Sequence, residues 1–288
     1  MILPGRPQTA AAVAAHYDEL DPFYRDIWGE HVHHGLWPEA SAASLPPATA
    51  AAALIDLVAE HLALAPGLSV VDIGCGYGAT AAHLVRAHRV CVTGLTLSAV
   101  QAAKADPIAD IHVGDWLANG FADGCFDRAY AIESSEHMDD KQRFFDEAFR
   151  TLRPGGRLVI CAWLARPGAS GWQIRHLLEP ICREGRLPGL AELEEYHRFA
   201  RAAGFVSGHV GQLGARVHRT WLICARRLIF RLFTDARYVR FLLDRRQGNR
   251  IFAITVLRMW LALRSGAMQY ALLVYQRPFC RSETESSL

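Results

Sequence analysis

The chain has 288 residues, 51% of them hydrophobic and 21% charged, with a formal net charge of +2. That composition is globular rather than disordered, and the length allows a full core in one large α/β unit or two smaller ones. No apolar run reaches the roughly 18 residues of a spanning helix, residues 1–8 lack the apolar core of a secretory signal, and the seven cysteines contain no C-x-x-C pair, so reduced thiols in a cytoplasm are expected and a disulfide or zinc framework is not.

In chain order, a helical stretch from Thr9 to Trp28 is expected first, followed by a loop rich in histidine and tryptophan. His31-Val32-His33-His34 puts three imidazoles in four residues, but no carboxylate stands at metal spacing and no metal is expected. Pro46-Pro47 opens a helix running to Leu64. Strands are expected at Leu68–Ile73, Val90–Leu95, Ile111–Val113, Phe126–Ile132, Arg157–Trp163 and Phe205–Val210, with Ala267–Gln276 as a returning strand. Helices Ala79–Ala87, Ser98–Ala105, Asp139–Leu152 and Leu190–Ala203 fill the gaps, and Arg153-Pro154-Gly155-Gly156 reads as a helix stop. Ala165 to Pro188 reads as a loose segment and 215–265 as largely helical. This alternation is that of a doubly wound, Rossmann-like α/β fold with a seven-stranded sheet. The expected organisation is an N-terminal helical lid (1–46), a core (47–214), a helical acceptor-binding cap (215–265), a last core strand (266–277) and a disordered tail (278–288).

The first strand carries Asp72 near its end and breaks into Gly74-Cys75-Gly76-Tyr77-Gly78 before a helix. Alternating glycines permit a tight turn and close backbone approach to a ligand. The spacing is neither G-x-G-x-x-G nor that of a phosphate loop. An acid two residues before the glycines suits a ligand with a cation at that end, such as S-adenosylmethionine. Thr96 stands where many cofactor folds place an acid for a ribose diol, and Thr96 with Gln101 can bond a diol without charge. Asp115 can accept an adenine amine, with Trp116 covering the ring.

Glu133, Glu136 and His137 follow the fourth strand, at the carboxyl end where doubly wound sheets bind ligands. His137 titrates in a useful range, and burial would raise Glu133 toward it, so all three are candidate catalytic groups. Trp37, Trp163, Trp172 and Trp221, with Phe230 and Phe233, are candidates to line or cap a flat, apolar acceptor pocket. Charge is uneven: residues 1–222 hold 19 Lys+Arg against 25 Asp+Glu, and 223–281 hold 12 against 2. The arginine block suggests peripheral contact with an anionic membrane. It lacks an aromatic stacking stripe, so nucleic acid is not expected.

Taken together, His16-Tyr17-Asp18, His33-His34-Gly35-Leu36-Trp37, the glycine loop, Thr93 to Ser98, Gly114-Asp115-Trp116, Glu133-Ser134-Ser135-Glu136-His137-Met138 and Leu152 to Gly156 make the chain resemble class I S-adenosylmethionine-dependent methyltransferases. It looks most like the tocopherol and sterol C-methyltransferases and is related to the mycolic-acid cyclopropane synthases. The resemblance implies S-adenosylmethionine as cofactor and a small hydrophobic acceptor, with carbon favoured over oxygen or nitrogen. It also implies that Tyr17, His33 and His34 form a lid near the cofactor carboxylate, and that Ile132 and Glu136 wall the cofactor. Two other readings are alkylation of a lipid alkene, against which Gly35 stands where cyclopropane-forming relatives place a cysteine, and a non-catalytic cofactor-binding module.

Overall fold

The computed structural model describes residues 1–5, 8–38, 45–244, 249 and 252–279. The arginines at 245, 246 and 250, and positions 280–288 of the expected tail, lie outside the described residues. The elements begin with α1 (Ala10–Trp28) and α2 (Pro47–Leu62), then β1 (Ser69–Ile73), α3 (Ala79–His88), β2 (Cys91–Thr96), α4 (Ala99–Ala102) and β3 (Asp110–Val113). Next come β4 (Phe126–Ile132), α5 (Lys141–Thr151) and β5 (Leu152–Ala165). The remainder is α6 (Gly171–Gln173), α7 (Glu179–Glu184), α8 (Leu193–Ala203), β6 (Val206–Gln212), α9 (Gly214–Val217), α10 (Arg219–Thr234), α11 (Ala236–Leu243), α12 (Phe252–Arg264) and β7 (Met268–Gln276).

The seven strands form one sheet in the order β3-β2-β1-β4-β5-β7-β6, with β7 antiparallel to both neighbours and the rest parallel. Strands covered on both faces are apolar throughout rather than alternating, as in Val70-Val71 and Leu158 to Ala162, all with no solvent exposure. One core cluster unites α2, α3, α7, α10 and α12 with the sheet, and a second unites α5 and α8 with it. The turns after β1, β2 and β4 meet the N-terminal segment, through Tyr77 to Asp21, Ser98 to Asp18 and His34 to Glu133.

Two local expectations change. The segment from Ala165 to Pro188 is mostly helical: α6 begins with a capping box between Ser170 and Gln173 and passes through a π-helical turn (Ile174–Leu178) into α7. β5 starts at Leu152, five residues before its expected beginning, because the Pro-Gly-Gly run stays paired, with Gly155 N–H donating to the Arg277 carbonyl (2.9 Å).

Candidate active site

β1 ends at Ile73 and the chain turns through Gly74 and Gly76 at φ of +82° and +55°. A Cβ at Gly74 would lie 2.4 Å from the Ser134 Cβ, whereas a Cβ at Gly76 would meet nothing within 4 Å. The two glycines therefore meet different demands. Gly74 lets the turn after β1 pass against the turn after β4, and Gly76 leaves backbone bare toward open space. Two adjoining cavities share these glycines with Val32 and Ile132. The larger, about 960 Å³ including its mouth and the open space before it, is bounded by Thr96, Gln101, Asp115 and Trp116. The smaller, about 380 Å³, is bounded by Asp72, Thr80, His31 and His33.

Polar groups in these walls are positioned by neighbours. Thr96 Oγ1 donates to Gln101 Oε1 (2.9 Å), so the pair offers uncharged groups at the end of β2. Asp115 accepts from the Leu117 N–H (2.9 Å) with one carboxylate oxygen, and its other oxygen takes no hydrogen bond among the described residues. Trp116 is buried and donates to the Phe144 carbonyl (3.2 Å). Asp72 accepts from the Tyr130 hydroxyl (2.7 Å). Burial pushes its carboxyl up to about 7, against the pull of that hydroxyl, and a cation placed beside it would lower it again. Bare glycine backbone, a neutral hydroxyl and amide pair, a free carboxylate oxygen beside a tryptophan and a buried acid together fit S-adenosylmethionine.

Glu133 follows β4 with φ +55°, a left-handed backbone that costs a non-glycine residue energy and persists only where its surroundings enforce it. This turn drives the carboxylate inward. Oε1 accepts from the His34 N–H and the Tyr270 hydroxyl, each at 2.8 Å. Oε2 lies 2.8 Å from His34 Nδ1, close enough for an ion pair but not aligned as a hydrogen bond. Burial works to raise the Glu133 carboxyl, yet the attraction and hydrogen bonds of His34 outweigh it and hold it below the ordinary carboxylate value. Glu133 is thus an anchored anion fastening the loop at His34 to β4, not the burial-raised base expected from the sequence.

His137 Nε2 and the Tyr17 hydroxyl share a hydrogen bond of 3.0 Å. Burial lowers the imidazole to about 3, with His16 acting in the same direction, so His137 is uncharged at neutral pH. Glu136 accepts from the Trp163 N–H and from Ser135 Oγ, and burial raises its carboxyl to about 7. Lys141, itself buried, holds this turn by donating to the Glu136 (3.2 Å) and Met138 carbonyls.

A further pocket, about 480 Å³ including the open space at its mouth, is walled by Tyr17, Tyr24, Trp28, Trp163 and Trp221. Tyr17 and Tyr24 stack at 5.5 Å, and Trp28 meets Trp221 edge-on at 4.9 Å. The indole N–H groups of Trp163 and Trp221 are buried without a hydrogen-bond partner among the described residues. Unmet buried donors of this kind are costly. Tyr17, Val32, Glu133 and His137 border both this pocket and the larger cavity.

Other expected site residues lie elsewhere. His34 has no exposure and borders none of these cavities; its ring packs among Trp28, Trp163, Trp221 and Tyr270. His33 does face the glycine loop, tied to Thr80 Oγ1 (3.3 Å) and the His34 carbonyl (2.9 Å). Trp37 is buried, and a Cβ on Gly35 would lie 2.7 Å from both its ring and the Ala50 Cβ. That packing explains why glycine stands at Gly35. Trp172 is 63% exposed beside the His176 ring, and Phe230 and Phe233 lie on the outer face of α10; none of the three reaches the pocket. Gly78 also has positive φ (+69°) and serves packing, since its Cβ would lie 3.1 Å from Ile111. Tyr24, Trp28, Lys141 and Tyr270 were not anticipated. The signal for the first two is their position seven and eleven residues after Tyr17, which puts all three on one face of α1.

The sequence matches the family described as mycolic acid cyclopropane synthetase over residues 6–232. Tocopherol O-methyltransferase of Arabidopsis thaliana is 32% identical over 209 residues, which are 64% of this chain and 60% of that protein. The 27-O-demethylrifamycin SV methyltransferase of Amycolatopsis mediterranei is 32% identical over 221 residues, 73% of this chain and 79% of the relative. The chain therefore spans only 60% of the length of the tocopherol enzyme. Among solved structures, that of mycolic acid cyclopropane synthase CmaA1 complexed with SAH and CTAB superposes with a TM-score of 0.80 at 23% identity, covering 94% of this chain and 99% of that one. At that identity the likeness is one of fold.

Proposed function

The chain belongs to the mycolic acid cyclopropane synthetase family of class I S-adenosylmethionine-dependent methyltransferases, and on that premise we propose that it methylates a small hydrophobic acceptor bearing an aromatic hydroxyl. In this reading Asp72 and the Gly74–Gly76 backbone hold the amino-acid half of the cofactor, Thr96 and Gln101 its ribose, and Asp115 and Trp116 its adenine. Bound there, S-adenosylmethionine supplies an electrophilic methyl group on a sulfonium. The aromatic pocket, walled by Tyr17, Tyr24, Trp28, Trp163 and Trp221, holds the acceptor. The observation that carries the reading is the shared border: Tyr17 and His137 face both the cofactor cavity and the aromatic pocket.

Methyl transfer depends chiefly on holding the nucleophile close and aligned. His137 takes the hydroxyl proton. An imidazole lowered to about 3 is a weak base in the empty site, but the hydroxyl becomes strongly acidic as its oxygen gains a bond. The anchored Glu133 favours the imidazolium as it forms. Removing that proton completes methylation at the oxygen; methylation at the neighbouring ring carbon must also shed that carbon's hydrogen, for which the proton on His137 returns to the oxygen and the ring proton leaves in its place, and NMR of the product separates the two outcomes.

Labelled cofactor and a series of hydroxylated aromatics should give labelled product. His137→Gln should lower kcat by roughly 10²–10⁴-fold while the affinity for S-adenosylhomocysteine, read by isothermal titration, stays within a few-fold. Undiminished turnover in the variant would remove His137 from this role. No binding of S-adenosylhomocysteine at high micromolar concentration would end the methyltransferase reading.

A further inference from the structure

The helices between β6 and β7 leave apolar side chains in solvent. On α10, Leu222, Ile229, Phe230 and Phe233 are exposed, Phe233 to 87%, and exposed Arg226 stands among them. Their spacing places them on one helix face. On α12, which packs against α10, Ile254, Leu257 and Leu261 form a second exposed stripe ending at Arg264. On α11, Val239 and Leu243 flank exposed Arg240. Single exposed apolar residues are ordinary on soluble proteins, but contiguous patches mark contact surfaces.

Some of these charges are paired, Arg237 with Asp235 (2.6 Å) among them. Arg231 and Arg237 pair with Asp26, and Arg258 pairs with Glu184. Arg226, Arg240 and Arg264 make no ion pair among the described residues, within a part of the chain holding 12 Lys+Arg against 2 Asp+Glu over 223–281. Cationic and aromatic side chains mixed on an amphipathic helix face are complementary to an anionic lipid headgroup layer over acyl chains. No helix among the described residues is long and apolar enough to cross a membrane, so such contact would be interfacial. The inner sides of the same helices, through Leu228, Tyr238, Phe241 and Val256, line an apolar cavity of about 530 Å³. That cavity shares Tyr24 and Trp28 with the aromatic pocket.

We infer that the outer face of α10, α11 and α12 docks the protein on an anionic bilayer, positioning it to take a membrane-dissolved acceptor. The part concerning the acceptor rests on the function proposed above; the docking does not. The test is co-sedimentation of the full chain with phosphatidylcholine vesicles, with and without phosphatidylserine. Binding should require phosphatidylserine and weaken with salt. The double variant Phe230→Ala/Phe233→Ala and the double variant Arg226→Glu/Arg240→Glu should each reduce it by about tenfold or more, with S-adenosylhomocysteine affinity unchanged as proof of folding. Equal binding to neutral vesicles, no binding to either kind, or self-association through this face in sedimentation would each overturn the proposal. All three leave the methyltransferase reading standing, because that is decided by cofactor titration and by turnover of a detergent-dispersed acceptor.

Discussion

Asp72 shows how one buried carboxyl can report on ligand binding. Its folded value of about 7 lies above the ordinary 3.8, raised by burial. An acid raised in this way prefers its proton when the cavity is empty. A cationic ammonium beside it favours the anion and lowers the value. Binding of S-adenosylhomocysteine at about pH 6, below the raised value, should therefore release a proton from Asp72. Affinity should climb as pH rises toward 7 and level off above it. Titration calorimetry in buffers of different ionisation heat measures the proton directly, and Asp72→Asn should abolish its release at the same pH. Buffer-independent heats for the unaltered protein would show that the ammonium is not held beside Asp72.

The turn after β4 and the lid are joined by a clamp with Glu133 at its centre. Its folded pKa is depressed, so the clamp contributes stability that is fully present above the unfolded value of about 4.5 and is lost as pH falls through the folded one. Glu133→Gln removes the charge and keeps the shape. It should cost about 1.5–3 kcal/mol at neutral pH, and the gap between the two proteins in urea unfolding should narrow as pH falls below about 4.5. A gap that stays constant with pH would mean that the charge plays no part. The sequence could not reveal this clamp, because its partners His34 and Tyr270 come together only when the lid and β7 have docked. What it did reveal was local: the glycine turn, its acid and the helix behind it form one continuous stretch with a clear change of period. The region between Ala165 and Pro188 misled for a related reason. Its glycines and prolines read as loop, although the capping pair Ser170 and Gln173 was present as a helix signal. Trp163 and Trp221 reach the pocket while Trp172 does not, and composition alone gives the three the same standing.

Across the whole molecule, the sheet is completed from its interior by the last strand of the chain. β7 enters between β5 and β6, pairing with Arg157 to Ala165 on one side and Val206 to Gln212 on the other. Tyr270 to Leu273 and Tyr275 are almost wholly buried, and the Tyr270 hydroxyl reaches the Glu133 clamp. The central sheet therefore cannot close until contacts distant in sequence form, a topology that folds slowly. A chain ending before Met268 would leave β5 with an open edge and β6 with no partner, and open apolar edges associate. We expect such a chain to lack a cooperative thermal transition by circular dichroism and to aggregate. Tyr270→Phe should melt cooperatively and lose only about 1.5–3 kcal/mol, the worth of one hydrogen bond to a charged group. A soluble shortened chain that melts cooperatively and binds S-adenosylhomocysteine would show that the first five strands form a self-sufficient core, with β7 an addition to it rather than its completion.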